Sequence, residues 1–410
     1  MAEFFNVISP SDAVSLMTSE LKPVGKEIID TSNALGRVSF SEIKTNEDLP
    51  AYDRSAMDGC SVRAMDTYGA SESLPAYLEL AGEVPMGRSP RVKLQNGEVA
   101  VAFTGGMLAK GADAVVMVEN TNLTQSGLVE VFRPVAQGEN VIMRGEDYSK
   151  GDVILREQST IGAAHMGSIL AVGITQMEVY QTPKIGVISA GDELVDPDSS
   201  PCEGQIRDVN LYTIGSLVKS MGAYTKYYPR LPDDFVKQKT TAEQALLEND
   251  MLIFTSGSSV SHRDMTANVI KGLGNPGILA HGLALKPGKP TIMGMVNDKI
   301  VVGLPGNPVS AITVFDNVLR PVIAHLKGLR GWNRRIIGEA ILSTDIQSSS
   351  GRTDLIRVKI RKDIDSGRMY ADPVLGKSNT ISVLSSSDGY FEISSPDSGV
   401  YAGTTVKVFI

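Results

Sequence analysis

Residues 185–194 read Ile185-Gly186-Val187-Ile188-Ser189-Ala190-Gly191-Asp192-Glu193-Leu194. Five uncharged, mostly branched residues end in a small-residue turn that carries two carboxylates. Such a run is a strand covered on both faces. Downstream, residues 208–221 place Leu211, Ile214, Leu217, Val218 and Met221 on one helical face. A second helix is predicted over 234–247, a strand over 251–255, a helix after Asp264, strands on either side of Asn297-Asp298, and a last helix over 308–327. Strand and helix alternating in this way predict a three-layer α/β domain whose chemistry sits on loops at the carboxyl ends of its strands.

On either side the texture differs. Residues 8–40 read as helical, starting from Ser9-Pro10-Ser11-Asp12, with Ala13, Val14, Leu16 and Met17 at helical spacing. Residues 48–143 are short β runs, such as 99–103 and 114–118, broken by glycine and proline. A helix over 159–171 and a strand over 176–180 lead to Pro183, and strands near 336–343, 354–361 and 405–410 suggest a small barrel or sandwich.

At 410 residues the chain exceeds one core and predicts several domains. A net charge of -8 and a pI near 5.2 argue against nucleic acid as the main partner. Two cysteines, Cys60 and Cys202, make no disulfide framework and suit a reducing compartment. The histidines at 165, 262, 281 and 325 lack zinc spacing, so a metal would be held by carboxylates, which favours Mg²⁺. The uncharged run 158–177 contains serines, threonines and glycines and reads as a helix followed by a strand rather than a membrane span. With no basic-then-apolar leader pattern, the expectation is a cytoplasmic protein with no membrane partner.

The sharpest local feature is Leu285-Lys286-Pro287-Gly288-Lys289-Pro290, followed by Gly303-Leu304-Pro305-Gly306-Asn307-Pro308. Pro287 and Pro290 forbid a helix through the lysines, which predicts a stiff loop holding both ammonium groups outward. Asn307-Pro308 reads as an N-cap and first helical residue. A helix start beside paired cations suits an oxyanion. Carboxylates recur at Asp58, at Asp192-Glu193, at Asp233-Asp234 and at Asp264, the last three after strands of one domain. Each alone reads equally as a helix cap or a solvated turn. The Gly/Ser segment 256–261 could cradle phosphate or be an ordinary loop.

Ser55-Ala56-Met57-Asp58-Gly59, Gly191-Asp192-Glu193-Leu194, the two lysine-and-proline blocks and Gly351-Arg352-Thr353-Asp354-Leu355-Ile356-Arg357 together resemble the molybdopterin molybdenumtransferases, the MoeA family that includes the gephyrin E domain. The likeness spans nearly the whole chain, with Leu355 standing where the family has phenylalanine and the loop 256–264 one residue shorter. It implies a multidomain α/β plus β fold. Residues 1–26 would form a helix on the α/β domain, 27–47 with 144–180 a mixed connector, and 48–143 a β-rich arm. Residues 181–328 would form an α/β domain resembling molybdopterin adenylyltransferase, and 329–410 a β-barrel. It implies a homodimer that inserts molybdate into adenylylated molybdopterin and releases AMP, with Mg²⁺ present; the upstream adenylyltransferase is a candidate partner whose docking the sequence leaves open. Catalytic positions would be Asp58, Glu193, Asp234, Asp264, Lys286 and Lys289, with Asp234 and Asp264 on the metal. Substrate would meet Thr104, Gly105, Ser256, Gly257, Ser258, Ser259, Pro305, Gly306, Asn307, Arg352 and Ser378. A carrier without turnover, or an enzyme preferring tungstate, would share these features.

Overall fold

The computed structural model describes residues 7–256 and 260–410, the side chains of 256 and 260–264 excepted. Its central sheet has six strands in the order Tyr224–Tyr227, Lys184–Ala190, Met251–Ser256, Lys299–Leu304, Ile292–Val296 and Pro276–His281. The first four are parallel, and Ile292–Val296 runs against its neighbours. Ile292–Val296 and Lys299–Leu304 form a hairpin turned by Asn297 and Asp298 at φ 49° and 63°, the conformation that tight hairpins demand and that Asn and Asp tolerate.

Alternate residues of the strands face opposite layers. Ile185, Val187, Ile253 and Val302 pack with Ile214 and Val218 of helix Asn210–Ser220 and with Phe315 and Val322. Ile188, Leu252, Phe254 and Val301 pack with Ala242 of helix Phe235–Glu248 and Ile270 of helix Val260–Leu273. Fully burying each such side chain is worth about 1.5–3 kcal/mol. The predicted α/β core is therefore present. One boundary differs: the last of these helices starts at Val260, so Asp264 lies on it and not before it.

The apolar stretch Pro308–Leu326 is 19 residues long, enough to cross a membrane by length and composition, but 78% of its most apolar 18-residue window is buried inside the protein. Residues Phe315–Leu319 form a π-turn within it. There Asp316, 7% exposed, accepts from Arg320 Nε at 2.8 Å and lies 3.5 Å from the Arg357 guanidinium of a distant strand.

The expected helix over 8–40 is much shorter. It runs Pro10–Thr18, capped by the Ser9 hydroxyl, and buries Ala13 and Met17 in the α/β core. Pro23 and Gly25 follow, and Lys26–Asp30 is a strand paired antiparallel with Gln176–Tyr180. With helix Ala163–Ala171 and the pair Ile43–Lys44 and Val153–Leu155, these strands surround a small core of Ile161, Ile169 and Val179. The predicted helix over 159–171 thus begins four residues late, after Gly162.

Residues 59–131 build a second six-stranded sheet around Val62, Leu78, Val99 and Val116. The C-terminal region is a closed barrel. Thr353–Lys362, Met369–Pro373, Ile336–Leu342, Thr405–Phe409 and Gly389–Ile393 pair in that order, and the last returns to the first. A two-residue strand from the α/β domain, Leu285–Lys286, adds to it in parallel, with Leu285 opposite Thr353 and Lys286 opposite Asp354.

Candidate functional site

Because Ile292–Val296 runs backwards, the segment entering it lies at the same end as the carboxyl termini of the parallel strands. One rim therefore carries Glu193, Asp234, Lys286, Lys289 and the Pro305-Gly306-Asn307 turn. Where this rim meets the barrel there is a cleft of about 1090 Å³. Its lining includes Lys286, Lys289, Pro305, Gly306, Asn307, Arg352 and Ser378, positions drawn from four separated segments. Lys286, Lys289, Arg352, Arg357 and Lys377 face two carboxylates there, Asp345 and Asp354. The cleft is cationic on an acidic chain.

The lysine segment, expected as a stiff loop, is in part a strand. Lys286 sits on the short strand held by the barrel, and its ammonium lies 3.4 Å from Asp354 Oδ2. Arg352 Nε donates to Asp354 Oδ1 at 2.9 Å. Asp354 is 1% exposed, whereas the Lys286 and Arg352 side chains are 56% and 37% exposed, so the two cations present outer faces to the cleft. Lys289 is exposed, and its carbonyl accepts from the Leu283 and Thr291 amides at 2.9 and 3.0 Å.

Asn307 occupies the expected cap position with Pro308 behind it, but its side chain makes no cap hydrogen bond. Its amide donates instead to Ser378 Oγ at 2.9 Å, and the Val309 N–H goes to the Ser378 carbonyl at 3.2 Å. The helix start expected to hold an anion is thus partly engaged by the barrel. On the other side, Asn210 Nδ2 donates to the Gly306 carbonyl at 2.7 Å and fixes the turn.

Asp58, Thr104, Gly105, Glu193 and Asp234 do not line this cleft. Asp234 caps helix Phe235–Glu248 by accepting from the Lys237 amide at 3.0 Å. The adjoining loops are tied by the Asp233 amide donating to Asp192 Oδ1 at 3.1 Å. Gly257, Ser258 and Ser259, and the side chains of Ser256 and Asp264, lie outside the described residues. Among the described residues no three His, Cys, Asp or Glu side chains cluster as a metal cage.

Three family profiles match in chain order: the MoeA N-terminal region, domains I and II, over 8–173; a molybdopterin-binding domain over 186–325; and the MoeA C-terminal region, domain IV, over 339–410. A molybdopterin biosynthesis protein of Methanocaldococcus jannaschii is 36% identical over 93% of this chain and 91% of its own. The molybdopterin molybdenumtransferase of Haemophilus influenzae is 30% identical over 86% and 85%. The solved MoeA protein of Pyrococcus horikoshii superposes with a TM-score of 0.84 at 30% identity, covering 99% of this chain and 100% of that one.

The chain belongs to the MoeA family of molybdopterin molybdenumtransferases.

Within this MoeA-family chain the region of the second six-stranded sheet holds another group of the anticipated residues. Asp58 Oδ1 accepts from the Thr104 backbone N–H at 2.8 Å and from its hydroxyl at 2.9 Å. Those donors, the backbone one first, hold the Asp58 carboxyl below the usual carboxylate range. A depressed value stabilises the fold above the ordinary carboxylate pKa, and that contribution is lost as pH falls through the lowered one. Thr104→Val should keep the backbone donor, lose the hydroxyl, and move the Asp58 midpoint upward. A carbon-13 titration of labelled aspartate would show it, and an unmoved midpoint would contradict the pairing. Two residues further on, burial pushes the Cys60 thiol up to about 11, so it is no nucleophile at neutral pH.

Asp354 is the residue that sequence reasoning missed in this MoeA cleft. It lay inside the quoted Gly351–Arg357 motif, but its value depends on a lysine 68 residues earlier in the chain. Arg357, deeper in the same cleft, stacks over the Tyr390 ring with its guanidinium 5.2 Å from the centroid.

Proposed function

We propose that this MoeA-family enzyme inserts molybdate into adenylylated molybdopterin and releases AMP. The observation that carries this reading is the cleft between rim and barrel, where five cationic side chains outnumber two carboxylates. A tetrahedral dianion or a pyrophosphate linkage is stabilised there by charge-assisted hydrogen bonds. Lys286, Lys289 and Arg352 bind and orient these anions. Ser378, tied to Asn307, offers its hydroxyl to a molybdate oxygen, and the Pro305-Gly306 turn supports the pterin end.

Hydrolysis of the adenylate puts a water oxygen on phosphorus while the pyrophosphate bridge breaks and AMP leaves. Glu193, Asp234 and Asp264 are assigned to orient that water from the rim. Mg²⁺ characteristically takes one or two carboxylates and fills its other positions with water and phosphate. Of the two carboxylates assigned to the metal, Asp234 has one oxygen used as a cap, which fits that kind of cation rather than a protein-built cage. Asp234 and Asp264 would hold the cation, which when bound neutralises charge on the phosphates.

Asp58 with Thr104, and the adjacent Gly105, lie outside the cleft of their own chain. We assign them to the cleft of a second copy, so the working unit is a homodimer, and sedimentation as a strict monomer would remove this part of the reading. Docking of the upstream adenylyltransferase, and a cytoplasmic location, belong to the same proposal. The main test incubates the protein with adenylylated molybdopterin, molybdate and Mg²⁺, with tungstate in parallel. AMP release is expected, is lost on chelation, and returns with added Mg²⁺. Tight binding with the nucleotide returned unchanged for both oxyanions would overturn the proposal.

A further inference from the structure

We propose that Asp354 is a positioning residue that sets the charge of the oxyanion site, holding Lys286 and Arg352 on one buried carboxylate until an anionic substrate takes Lys286 over. The inference rests on the reading of those two cations as oxyanion ligands. A carboxylate that is 1% exposed requires compensation, because an unpaired buried charge is strongly unfavourable. Here it has two partners, one on each oxygen, and they are unequal. The Arg352 contact at 2.9 Å has ordinary charge-assisted length, whereas the Lys286 contact at 3.4 Å is loose. Arg352 is two residues from Asp354 on its own chain segment. Lys286 comes from the neighbouring strand and is the more exposed of the two. Lys286 is therefore the cation that can turn outward, while Arg352 stays and keeps Asp354 compensated.

This arrangement has an energetic consequence. With Asp354 charged, the trio presents one net positive charge to an incoming dianion rather than two. Molybdate must leave the protein's cations for the dithiolene sulfurs, so binding it too strongly in the ground state lowers turnover without helping the transition state. Asp354 keeps that binding moderate. It also prevents Lys286 and Arg352 from repelling each other when no ligand is present.

The test compares wild type, Asp354→Asn and Asp354→Glu. Molybdate binding is read by calorimetry, and KM for molybdate and kcat by AMP release. For Asp354→Asn the expected result is molybdate binding about tenfold tighter, a difference of about 1.4 kcal/mol, with KM and kcat falling together. Asp354→Glu should return both toward wild type. A residue that merely held the strand Leu285–Lys286 to the barrel would instead leave molybdate affinity equal or weaker in Asp354→Asn, and that result overturns the inference. Should Asp354→Asn not fold, carbon-13 aspartate spectra of the wild type decide, with Asp354→Glu providing the assignment. Molybdate should shift the Asp354 carboxyl resonance as Lys286 departs, and a static resonance counts against the idea. Wild-type protein that binds no molybdate overturns the oxyanion reading itself. Wild-type binding with no gain in the Asn variant overturns only the role of Asp354.

Discussion

Lys289→Ala should reduce AMP release by about 10²–10³-fold, the usual cost of removing one donor aimed at developing or transferred negative charge. Loss of fold does not explain such a drop. The Lys289 side chain is exposed, and the segment is held through its carbonyl by the Leu283 and Thr291 amides, which alanine retains. Changes at exposed side chains usually alter stability far less than core changes do, so any fall in melting temperature should be small beside the loss of activity. Steady-state AMP release alongside thermal melting checks both halves. Full activity in the alanine variant would mean that the Lys289 ammonium does not act on the substrate.

The largest stability effect should come from Asp316→Ala. Asp316 lies on the π-turn of the core helix and is shared by Arg320 and by Arg357 of the barrel strand Thr353–Lys362. Removing it strands two guanidinium groups whose side chains are only 20% and 14% exposed. Breaking a buried pair by deleting one partner typically costs about 3–5 kcal/mol. Urea denaturation followed by circular dichroism would register the change as a lowered midpoint, and a midpoint within error of wild type would contradict the arrangement. Asp316→Leu tests the complementary point, since it fills the space but still leaves the arginines without a counter-charge. It should therefore recover little.

Some of this was legible in the amino-acid sequence. The strand Lys184–Ala190 announces itself because it is covered on both faces, and an unbroken apolar run has few other uses. The hairpin at Asn297-Asp298 follows from turn chemistry that depends on those two residues alone. The strand Lys26–Asp30 was not legible. Its partner is Gln176–Tyr180, some 150 residues away, and periodicity near Ser9 carried the helical reading too far. The site shows the same division. That the lysines belong to an anion site could be expected from their proline frame, and that Arg352 and Ser378 join them followed from the family resemblance alone. Which atoms they hold could not be expected, because Asn307 is equally suited to capping its own helix and to bridging toward Ser378. Asp354 appears in sequence as one more acid beside an arginine, and only the register of two strands places Lys286 on it.

That register also limits how the protein can be taken apart. The barrel borrows a two-residue border from another module, so residues 329–410 produced alone would begin with raw peptide groups where Leu285 and Lys286 belong. Such a bare margin invites neighbouring copies to stick to it. The reverse holds for the donor: cut free of its acceptor, Lys286 would lose the neighbour that fixes its place. The two pieces are best regarded as a single inherited unit, in which a change on either flank is felt by the other.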